Sequence, residues 1–199
     1  MNNFLYFVLE KSGLYPFISV NSISSIPANL VNSNVFDLEK SGMEQADLVI
    51  PVSNLTRNTV INKYGIDPSK VITVHNAIEP VEQPDLKVNK VVKEKVVTFL
   101  GRLTFQKGPE YFVEAAKKIL EKDNNVRFVM AGNGDMMNQL IRRVAELKIA
   151  DRFHFTGFLQ GEDVDKMFLL SDVFVMPSVS EPFGITPLEA MKNGTPVII

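Results

Sequence analysis

The fold is decided by residues 96–120, VVTFLGRLTFQKGPEYFVEAAKKIL, which run from an apolar β-rich stretch through a glycine-bearing loop into a helical pattern. Val96–Leu100 predicts a buried strand, because a short continuous apolar run is typical of a strand covered on both faces. Pro109–Lys122 predicts a helix, because its apolar residues recur with the helical period and proline suits the first helical position. A strand, a loop and an amphipathic helix in this order are the repeating unit of an α/β fold.

The same alternation continues to the end of the chain. It predicts strands and helices in turn, at Val126–Ala131, Met136–Lys148, Arg152–Gly157, Glu162–Leu170, Asp172–Met176, Pro187–Asn193 and Pro196–Ile199. Helices that connect successive strands specify a parallel sheet with helices on both faces. Ligands of such sheets bind beyond the carboxyl ends of the strands, so a site is expected in the loops that follow them.

The part of the chain before residue 96 predicts a second, separate domain. Asp47–Ser53 and Val71–His75 have the pattern of strands, and Thr56–Tyr64 has the pattern of a helix. Residues 76–95 contain prolines and a lysine-rich tract, a composition typical of a linker. We therefore expect one domain over residues 1–75, an interdomain linker over 76–95 and a second domain over 96–199.

The composition limits the classes of function. The chain has 199 residues, of which 45% are hydrophobic, and this is enough to bury a core. Its net charge of -2 argues against nucleic-acid binding. The absence of cysteine excludes disulfides, thiolate catalysis and cysteine-based zinc sites, and two histidines argue against a histidine-built metal centre. No apolar stretch approaches the ~20 residues that span a bilayer, so the sequence predicts a soluble, cytoplasmic enzyme.

A first candidate site is the loop 101–109, which follows the first strand of the second domain. Gly101 permits close backbone approach, Arg102 and Lys107 carry two positive charges, and a predicted helix N-terminus follows. Free backbone N–H groups, the helix dipole and two cations favour an anion, most simply a phosphate. Arg102 can bind two oxygens at once, whereas Lys107 acts as a point charge. Two ordinary surface cations are the alternative interpretation.

A second candidate is the turn Gly132-Asn133-Gly134, again between a strand and a helix. It is half of the dinucleotide-binding fingerprint, because Met137 stands where the third glycine is expected. Asp151 lies near the distance at which a ribose-binding carboxylate would follow. The chemistry of a tight turn explains the two glycines equally well.

A third candidate is residues 178–190, SVSEPFGITPLEA. Glu181 lies in an otherwise apolar loop at the ligand end of the sheet, where a functional carboxylate is favoured. Thr186 and Glu189 have the spacing of a capping box, with Pro187 at the first helical position. The same helix N-terminus is equally suited to a phosphate or a hydroxyl-rich ligand.

Together these segments resemble the nucleotide-sugar glycosyltransferases of family 4 (group 1), which include bacterial glycogen-synthase-like enzymes. The motifs that carry the resemblance are, in chain order, Gly101-Arg102 with Lys107-Gly108, Ala131–Gly134, Phe155–Phe158, Asp172–Ser178 and Glu181–Glu189. Residues 46–53 and 74–78 also match the end of the family's N-terminal domain. The resemblance runs from about Val35 to Ile199. It implies the GT-B fold, with two Rossmann-like domains, here both incomplete, each with a parallel sheet and helices on both faces.

The resemblance implies a division of roles between the domains and among the residues. The N-terminal domain of the family holds the acceptor, and the C-terminal domain holds the nucleotide-sugar donor. Arg102 and Lys107 would bind the donor diphosphate, and Glu189 would bind the ribose hydroxyls. Glu181 would face the transferred sugar and, with Arg102 and Lys107, form the catalytic group. The implied substrate-binding residues are Gly101, Arg102, Lys107, Glu181, Phe183, Gly184, Ile185, Thr186 and Glu189.

The family works with retention of anomeric configuration and without a metal, so no cofactor is expected. The implied partners are a nucleotide-sugar donor and a saccharide or lipid-linked acceptor, with no nucleic acid. The resemblance begins midway through the acceptor domain, and residues 19–22 lack the histidine that many relatives carry there. We therefore expect a piece of a longer enzyme that is inactive on its own and has no transmembrane segment. A peripheral membrane contact would come from the unmatched N-terminal part of the family's acceptor domain.

Three alternatives stay open at this point. A non-catalytic nucleotide-sugar-binding piece would hold the donor without transferring the sugar. A Rossmann-type NAD-dependent oxidoreductase would use the turn at Gly132–Gly134. A glycoside hydrolase would use Glu181 and Glu189 as two carboxylates that flank one bond.

Overall fold

The computed structural model describes residues 33–79, 88–181 and 183–199, together with two strands, β1 (Phe4–Glu10) and β2 (Gly13–Val20). Residues 80–87, a part of the expected linker, lie outside the described residues. The chain divides into two compact units. The first comprises Met1–Ala77 and Ser180–Phe183, and the second comprises Ile78–Val179 and Gly184–Ile199.

The sheet of the first unit has three strands in the order β2-β1-β3, where β3 is Leu48–Ile50. Both pairs are antiparallel, with Glu10 opposite Gly13 and Val8 opposite Val49. The described sheet therefore differs from the parallel one that was expected for this domain. Only two residues separate β1 from β2 in the sequence. So short a connection joins antiparallel strands, because a parallel pair needs a crossover of about a dozen residues or more.

Two helices, α1 (Ser33–Gln45) and α2 (Asn54–Asn62), complete the first unit. α2 begins where the Oγ of Ser53 accepts a hydrogen bond of 3.1 Å from the backbone N–H of Thr56, which satisfies one of the open donors of a helix N-terminus. The predicted strand at Val71–His75 is reduced to an isolated parallel bridge between Val49 and Val71. The core of the unit consists of Met43, Ala46, Val49, Val52, Val60, Tyr64, Ile66 and Val71.

The second unit contains a five-stranded sheet in which every neighbouring pair is parallel, in the order β6-β5-β4-β7-β8. Its strands are β4 (Lys95–Leu100), β5 (Val126–Ala131), β6 (Phe153–Gly157), β7 (Val173–Val175) and β8 (Val197–Ile198). The helices between them are α3 (Pro109–Leu120), α4 (Met137–Glu146), α5 (Glu162–Leu170) and α6 (Ile185–Lys192). The predicted α/β alternation is confirmed, and α6 begins two residues before the predicted Pro187.

Each face of this sheet has its own core, because alternate residues of a strand point to opposite faces. On one face the ring of Phe112 from α3 packs against the rings of Phe99 and Phe128, with centroids 5.7 and 5.8 Å away. On the other face Phe168 of α5 meets Phe174 of β7 edge to face at 5.4 Å. Helices therefore cover both faces, as predicted.

Asp172, the residue before β7, ties the start of that strand to the start of β4. One carboxylate oxygen accepts a hydrogen bond of 2.7 Å from the backbone N–H of Val96. The side chains of Lys90 and Lys95 form ion pairs with the same carboxylate. Two lysines of the predicted linker therefore neutralise Asp172.

The order of the strands creates a topological switch point between β4 and β7. From the central strand β4 the chain first moves outward to β5 and β6, and it then returns to the other side of β4 to form β7 and β8. The loops after β4 and β7 consequently lead away in opposite directions at the carboxyl edge. Crevices formed in this way are the usual ligand sites of open parallel sheets.

Candidate functional site

A cleft of about 460 Å³ opens at the carboxyl edge of the parallel sheet. Its walls come from the loops that follow three neighbouring strands, β4, β5 and β6, and from two helices, α5 and α6. The lining residues are Leu100, Gly101, Arg102, Gly132, Asn133, Phe158, Leu159, Gly161, Val164, Asp165, Glu189 and Lys192. The cleft is therefore the place where the predicted loops of the second unit meet.

The loops after β4 and β5 are joined by backbone hydrogen bonds. The N–H of Leu103 donates to the carbonyl of Asn133 at 2.9 Å, and the N–H of Met136 donates to the carbonyl of Leu103 at 3.1 Å. The N–H of Gly101 donates to the carbonyl of Ala131 at 3.0 Å. The backbone on both sides of Arg102 is thus fixed, and the exposed guanidinium projects from a rigid wall of the cleft.

The glycines of the second loop are explained by this close contact. A Cβ on Gly132 would lie 1.8 Å from the carbonyl oxygen of Gly101, and Gly132 also has a φ of +138°. A Cβ on Gly134 would lie 2.4 Å from the carbonyl oxygen of Leu103. Distances below 3.0 Å are not compatible with a side chain, so both positions require glycine whether or not a ligand is bound. The tight-turn interpretation of Gly132-Asn133-Gly134 accounts for the motif.

The carboxylate expected for an NAD site does not reach this cleft. Asp151 belongs to the short 3-10 turn Ala150–Arg152, which directly precedes β6. It lies at the amino end of that strand, where its carbonyl accepts a hydrogen bond from Arg127 near the start of β5. The cleft is at the opposite, carboxyl edge of the sheet. The interpretation of Asp151 as a ribose ligand is therefore wrong.

The predicted anion loop is packed against the loop that follows β7. Gly108, the N-cap of α3, has a φ of +62°, and a Cβ there would lie 2.2 Å from the carbonyl oxygen of Pro177. The backbone N–H of Val179 donates to the carbonyl of Gln106 at 2.9 Å. Lys107 immediately precedes this helix N-terminus and is half-buried. Unlike Arg102, it is not one of the residues that line the cleft.

The predicted capping box of Thr186 and Glu189 is wrong. α6 begins at Ile185 with Gly184 as its N-cap, so no side chain caps the helix, and Thr186 is already its second residue. Glu189 consequently lies one turn into the helix and lines the cleft. Its carboxylate has no hydrogen-bond partner within the described part of the chain, which leaves both oxygens open to a ligand.

Burial raises the pKa of the Glu189 carboxyl above its ordinary value. The negative charge of Asp165 raises this pKa further, and the positive charge of Lys192 offsets part of the effect. All three side chains line the same cleft. A carboxylate that is desolvated in this way gains from a hydrogen-bond donor supplied by a ligand.

Three polar or aromatic lining residues are not among the candidates from the sequence, namely Phe158, Asp165 and Lys192. Phe158 ends one of the motifs of the resemblance, so that motif was the available signal. Lys192 lies three residues after Glu189 on α6, and this helical spacing places it on the same face. Asp165 had no signal, because it is one of three acidic residues in the first turn of α5.

The remaining predicted site residues lie outside the cleft. Gly184, Ile185 and Thr186 form the start of α6 in the second unit. Glu181 and Phe183 group with the first unit, where Phe183 packs against the core and its ring stacks on that of His75 at 5.9 Å. Of the nine predicted substrate-binding residues, the cleft brings together Gly101, Arg102 and Glu189.

Neither a metal-binding cluster nor a membrane-spanning helix occurs among the described residues. No group of three or more histidine, aspartate or glutamate side chains in that part of the chain could hold a metal ion. Nor does that part contain a helix with the length and apolar character needed to cross a membrane.

The family model for glycosyl transferases group 1 matches residues 82–199, which is more than half of the chain. The chain belongs to this family. Among curated relatives, the uncharacterized glycosyltransferase MJ1607 of Methanocaldococcus jannaschii is 39% identical over 76% of this chain and 41% of its own length. Mannosylfructose-phosphate synthase of Agrobacterium fabrum is 29% identical over 77% of this chain and 37% of its own length. The chain spans about two fifths of the length of these relatives.

Solved structures show the same fold. TarM of S. aureus, in complex with Fondaparinux, alpha-GlcNAc-glycerol and UDP, superposes with a TM-score of 0.74 at 18% identity, over 87% of this chain and 34% of that protein. HepE of Anabaena, in complex with UDP and glucose, superposes with a TM-score of 0.72 at 20% identity, over 86% of this chain and 49% of that protein. The predicted α/β class and the predicted family of GT-B glycosyltransferases are confirmed.

Proposed function

We propose that the protein transfers a sugar from a nucleotide-diphosphate sugar to an acceptor, and that the cleft of the second unit holds the donor. The observation that carries this proposal is the presence of Arg102 and Glu189 in one cleft at the carboxyl edge of a parallel sheet. A guanidinium matches diphosphate oxygens, and a carboxylate accepts hydrogen bonds from hydroxyl groups. The cleft thus offers one group for the diphosphate and one for hydroxyl groups of a nucleotide-sugar donor.

The proposed chemistry depends on charge that develops during the reaction. Cleavage of the bond between sugar and diphosphate gives the sugar oxocarbenium character and leaves negative charge on the departing diphosphate. We assign stabilisation of that charge to Arg102 and Lys107, and the N-terminus of α3 beside Lys107 adds its dipole. Transfer with retention of configuration and without a metal is part of this proposal.

The family motif also assigns roles to the loop before α6. Glu181 would face the transferred sugar, and the backbone of residues 183–186 would contact the sugar and phosphate. These roles follow from the family motif that the chain matches. The position of residues 184–186, which follow β7 in the second unit, supports the contact with sugar and phosphate, because ligands of open parallel sheets bind beyond the carboxyl ends of the strands.

Names of relatives suggest which substrates to test first. The solved TarM and HepE structures contain UDP, and an Escherichia coli relative that is 32% identical is named a UDP-Gal galactosyltransferase. Other relatives are named 2-deoxystreptamine glucosyltransferase and alpha-monoglucosyldiacylglycerol synthase. We therefore propose a UDP-sugar as the first donor to test, with saccharide and lipid acceptors in parallel.

Substitution of Arg102 by alanine is expected to weaken donor binding by about ten- to a hundredfold, the range of a lost charge-assisted hydrogen bond. The measurement is calorimetric titration of the chain with UDP-glucose, GDP-mannose and ADP-glucose. Arg142→Ala is the matched control, because Arg142 is an exposed arginine on α4 outside the cleft. Equal affinities for the wild-type chain and Arg102→Ala would contradict the assignment of the cleft.

A second measurement separates transfer from binding. Release of UDP in the presence of an acceptor reports transfer, whereas calorimetry reports occupancy of the cleft. Binding with no release against a panel of saccharide and lipid acceptors is the result expected of a chain that is inactive on its own, and restoration of release by the full-length gene product would then favour a non-catalytic, nucleotide-sugar-binding role for this chain. Absence of binding to every nucleotide sugar would refute the proposed function itself.

A further inference from the structure

The first turn of α5 carries three acidic residues that have different surroundings. Glu162 and Asp163 are exposed and form ion pairs with Lys166 at 3.3 and 3.4 Å. Asp165 is half-buried, lines the cleft and has no cationic partner at ion-pair distance within the described residues. Its position is therefore not explained by surface solubility or by a salt bridge.

A buried amide holds Asp165 in place. The Nδ2 of Asn193 donates a hydrogen bond of 2.7 Å to one carboxylate oxygen of Asp165 and another of 3.0 Å to the backbone carbonyl of Glu189. Asn193 is only 9% exposed, so this link between α5 and the end of α6 lies in the interior. Asp165 lies on α5 and Glu189 lies on α6. The side chain of Asn193 connects these two helices through its two hydrogen bonds.

The oxygens of these two carboxylates need hydrogen-bond donors. One oxygen of Asp165 and both oxygens of Glu189 have no partner within the described residues. Two like charges in a partly desolvated cleft are unfavourable unless donors compensate them. A ligand that presents two neighbouring hydroxyl groups supplies such donors without adding negative charge.

We propose that Asp165 is a specificity-determining residue that, together with Glu189, binds the vicinal 2′- and 3′-hydroxyls of the donor ribose. This inference rests on the proposed function, because it requires a nucleotide in the cleft. It adds a residue to the site, and it gives the cleft a means to select ribonucleotides over deoxyribonucleotides.

The raised pKa of Glu189 is consistent with this arrangement, since the charge of Asp165 contributes to it. Lys192 also lines the cleft and offsets part of the repulsion. Hydroxyl donors from a ribose would stabilise the charged form of the Glu189 carboxyl, so ligand binding and deprotonation of Glu189 would favour each other.

The test compares the affinities of the chain for UDP, 2′-deoxy-UDP and 3′-deoxy-UDP, measured by calorimetry. The wild-type chain is expected to prefer UDP to at least one of the deoxy analogues by about tenfold or more. Asp165→Asn keeps the shape of the side chain, and its amide oxygen can still accept the hydrogen bond from Asn193. It replaces the second acceptor by a donor, so the preference for UDP over at least one deoxy analogue should fall about tenfold, while Glu189 still accepts from the other hydroxyl.

Control variants distinguish a role of Asp165 in ribose recognition from a role in the stability of the fold. Asp163→Asn, on the same turn but outside the cleft, should leave the preference unchanged. A merely structural role of Asp165 would lower the affinities for UDP and the deoxy analogues equally. Asp165→Ser, which also removes the charge, provides a second reading if Asp165→Asn fails to fold.

The outcomes distinguish the two proposals. If the wild-type chain binds UDP and the preference over each analogue is unchanged in both variants at residue 165, the inference is overturned while the proposed function stands. If the wild-type chain binds UDP but does not discriminate against either analogue, the inference is equally overturned. If it binds none of these nucleotides, and none of UDP-glucose, GDP-mannose and ADP-glucose, both proposals fall.

Discussion

At the scale of single residues, Glu189 combines a proposed binding role with an unfavourable environment. Burial and the charge of Asp165 raise its pKa, so the folded protein favours the protonated form more than the unfolded chain does. A carboxyl with a raised pKa adds stability below its unfolded pKa, and that contribution is lost as the pH rises through the folded pKa. At neutral pH its charge therefore opposes folding.

Glu189→Gln is expected to raise the melting temperature at pH 7 while it weakens nucleotide binding. The difference in melting temperature from wild type should disappear as the pH falls below the ordinary glutamate pKa of 4.5, where both proteins are uncharged at this position. Thermal unfolding followed by circular dichroism from pH 4 to pH 8 measures it.

Glu114→Gln is the matched control, and its expected change in melting temperature at pH 7 has the opposite sign. The hydrogen bond from Arg143 holds the pKa of Glu114 below its usual value, so this exposed carboxyl contributes stability above its unfolded pKa and loses it as the pH falls. Its replacement should slightly lower the melting temperature at pH 7. A rise in the melting temperature at pH 7 for both variants, or a fall for both, would contradict the environment described for Glu189.

Residues of the candidate site differ in how far the sequence could predict them. Arg102 and Glu189 belong to recognisable loop and helix motifs, and both line the cleft. Asp165 could not be distinguished from Glu162 and Asp163, because all three are acidic residues of one helical turn. Its distinguishing contact, the hydrogen bond to Asn193, joins residues 28 positions apart, and no local pattern encodes such a pair.

At the scale of structural elements, the loops after β4 and β5 are in direct backbone contact, and glycines at positions 132 and 134 allow this close approach. Gly134→Ala is expected to destabilise the protein by about 2 kcal/mol or more, because its Cβ would lie 2.4 Å from the carbonyl oxygen of Leu103. Urea unfolding measures the loss. Gly101→Ala is the control, because its Cβ would meet the ring of Phe99 at an ordinary 3.7 Å. Equal losses for the two variants would show that the close approach of the loops is not the cause.

The elements of the second unit were predictable because each has a strong local signal. β5 and α5 have their predicted bounds, since apolar periodicity determines where a buried strand or helix begins and ends. The start of α6 was misplaced because Pro187 and the Thr186–Glu189 spacing suggested a later N-terminus than the one at Gly184. The antiparallel pairing of β1 and β2 follows from their two-residue connection, which is too short for a parallel crossover.

At the scale of the whole molecule, the chain contains hydrophobic cores that share no residue. The core on the α3 side of the parallel sheet is built around Phe112, and the core of the first unit contains Val60. The alternation of strands and helices along the chain was enough to predict the α/β class, because the fold class depends on the order of the elements. The cleft was predictable only as a set of loops, since its shape depends on contacts between distant segments.

Phe112→Ala is expected to cost about 3–5 kcal/mol, because it removes a ring that packs against Phe99, Phe128 and Phe153. Amide hydrogen exchange should show lower protection in β4, β5 and β6 and unchanged protection in α2. Val60→Ala, in the core of the first unit, should give the reverse pattern. A loss of protection in α2 caused by Phe112→Ala would contradict the separation of these cores.

The contact between the loops after β4 and β5 also affects how the cleft can be mapped by mutagenesis. Gly134 does not line the cleft, yet any side chain there would push on the backbone that presents Arg102. A systematic alanine scan scored by ligand affinity would therefore rank Gly134 among the binding residues. In this protein, the positions at which substitution weakens binding therefore include residues that do not contact the ligand. These residues can be distinguished from true ligand contacts only by measuring both stability and affinity on the same variants.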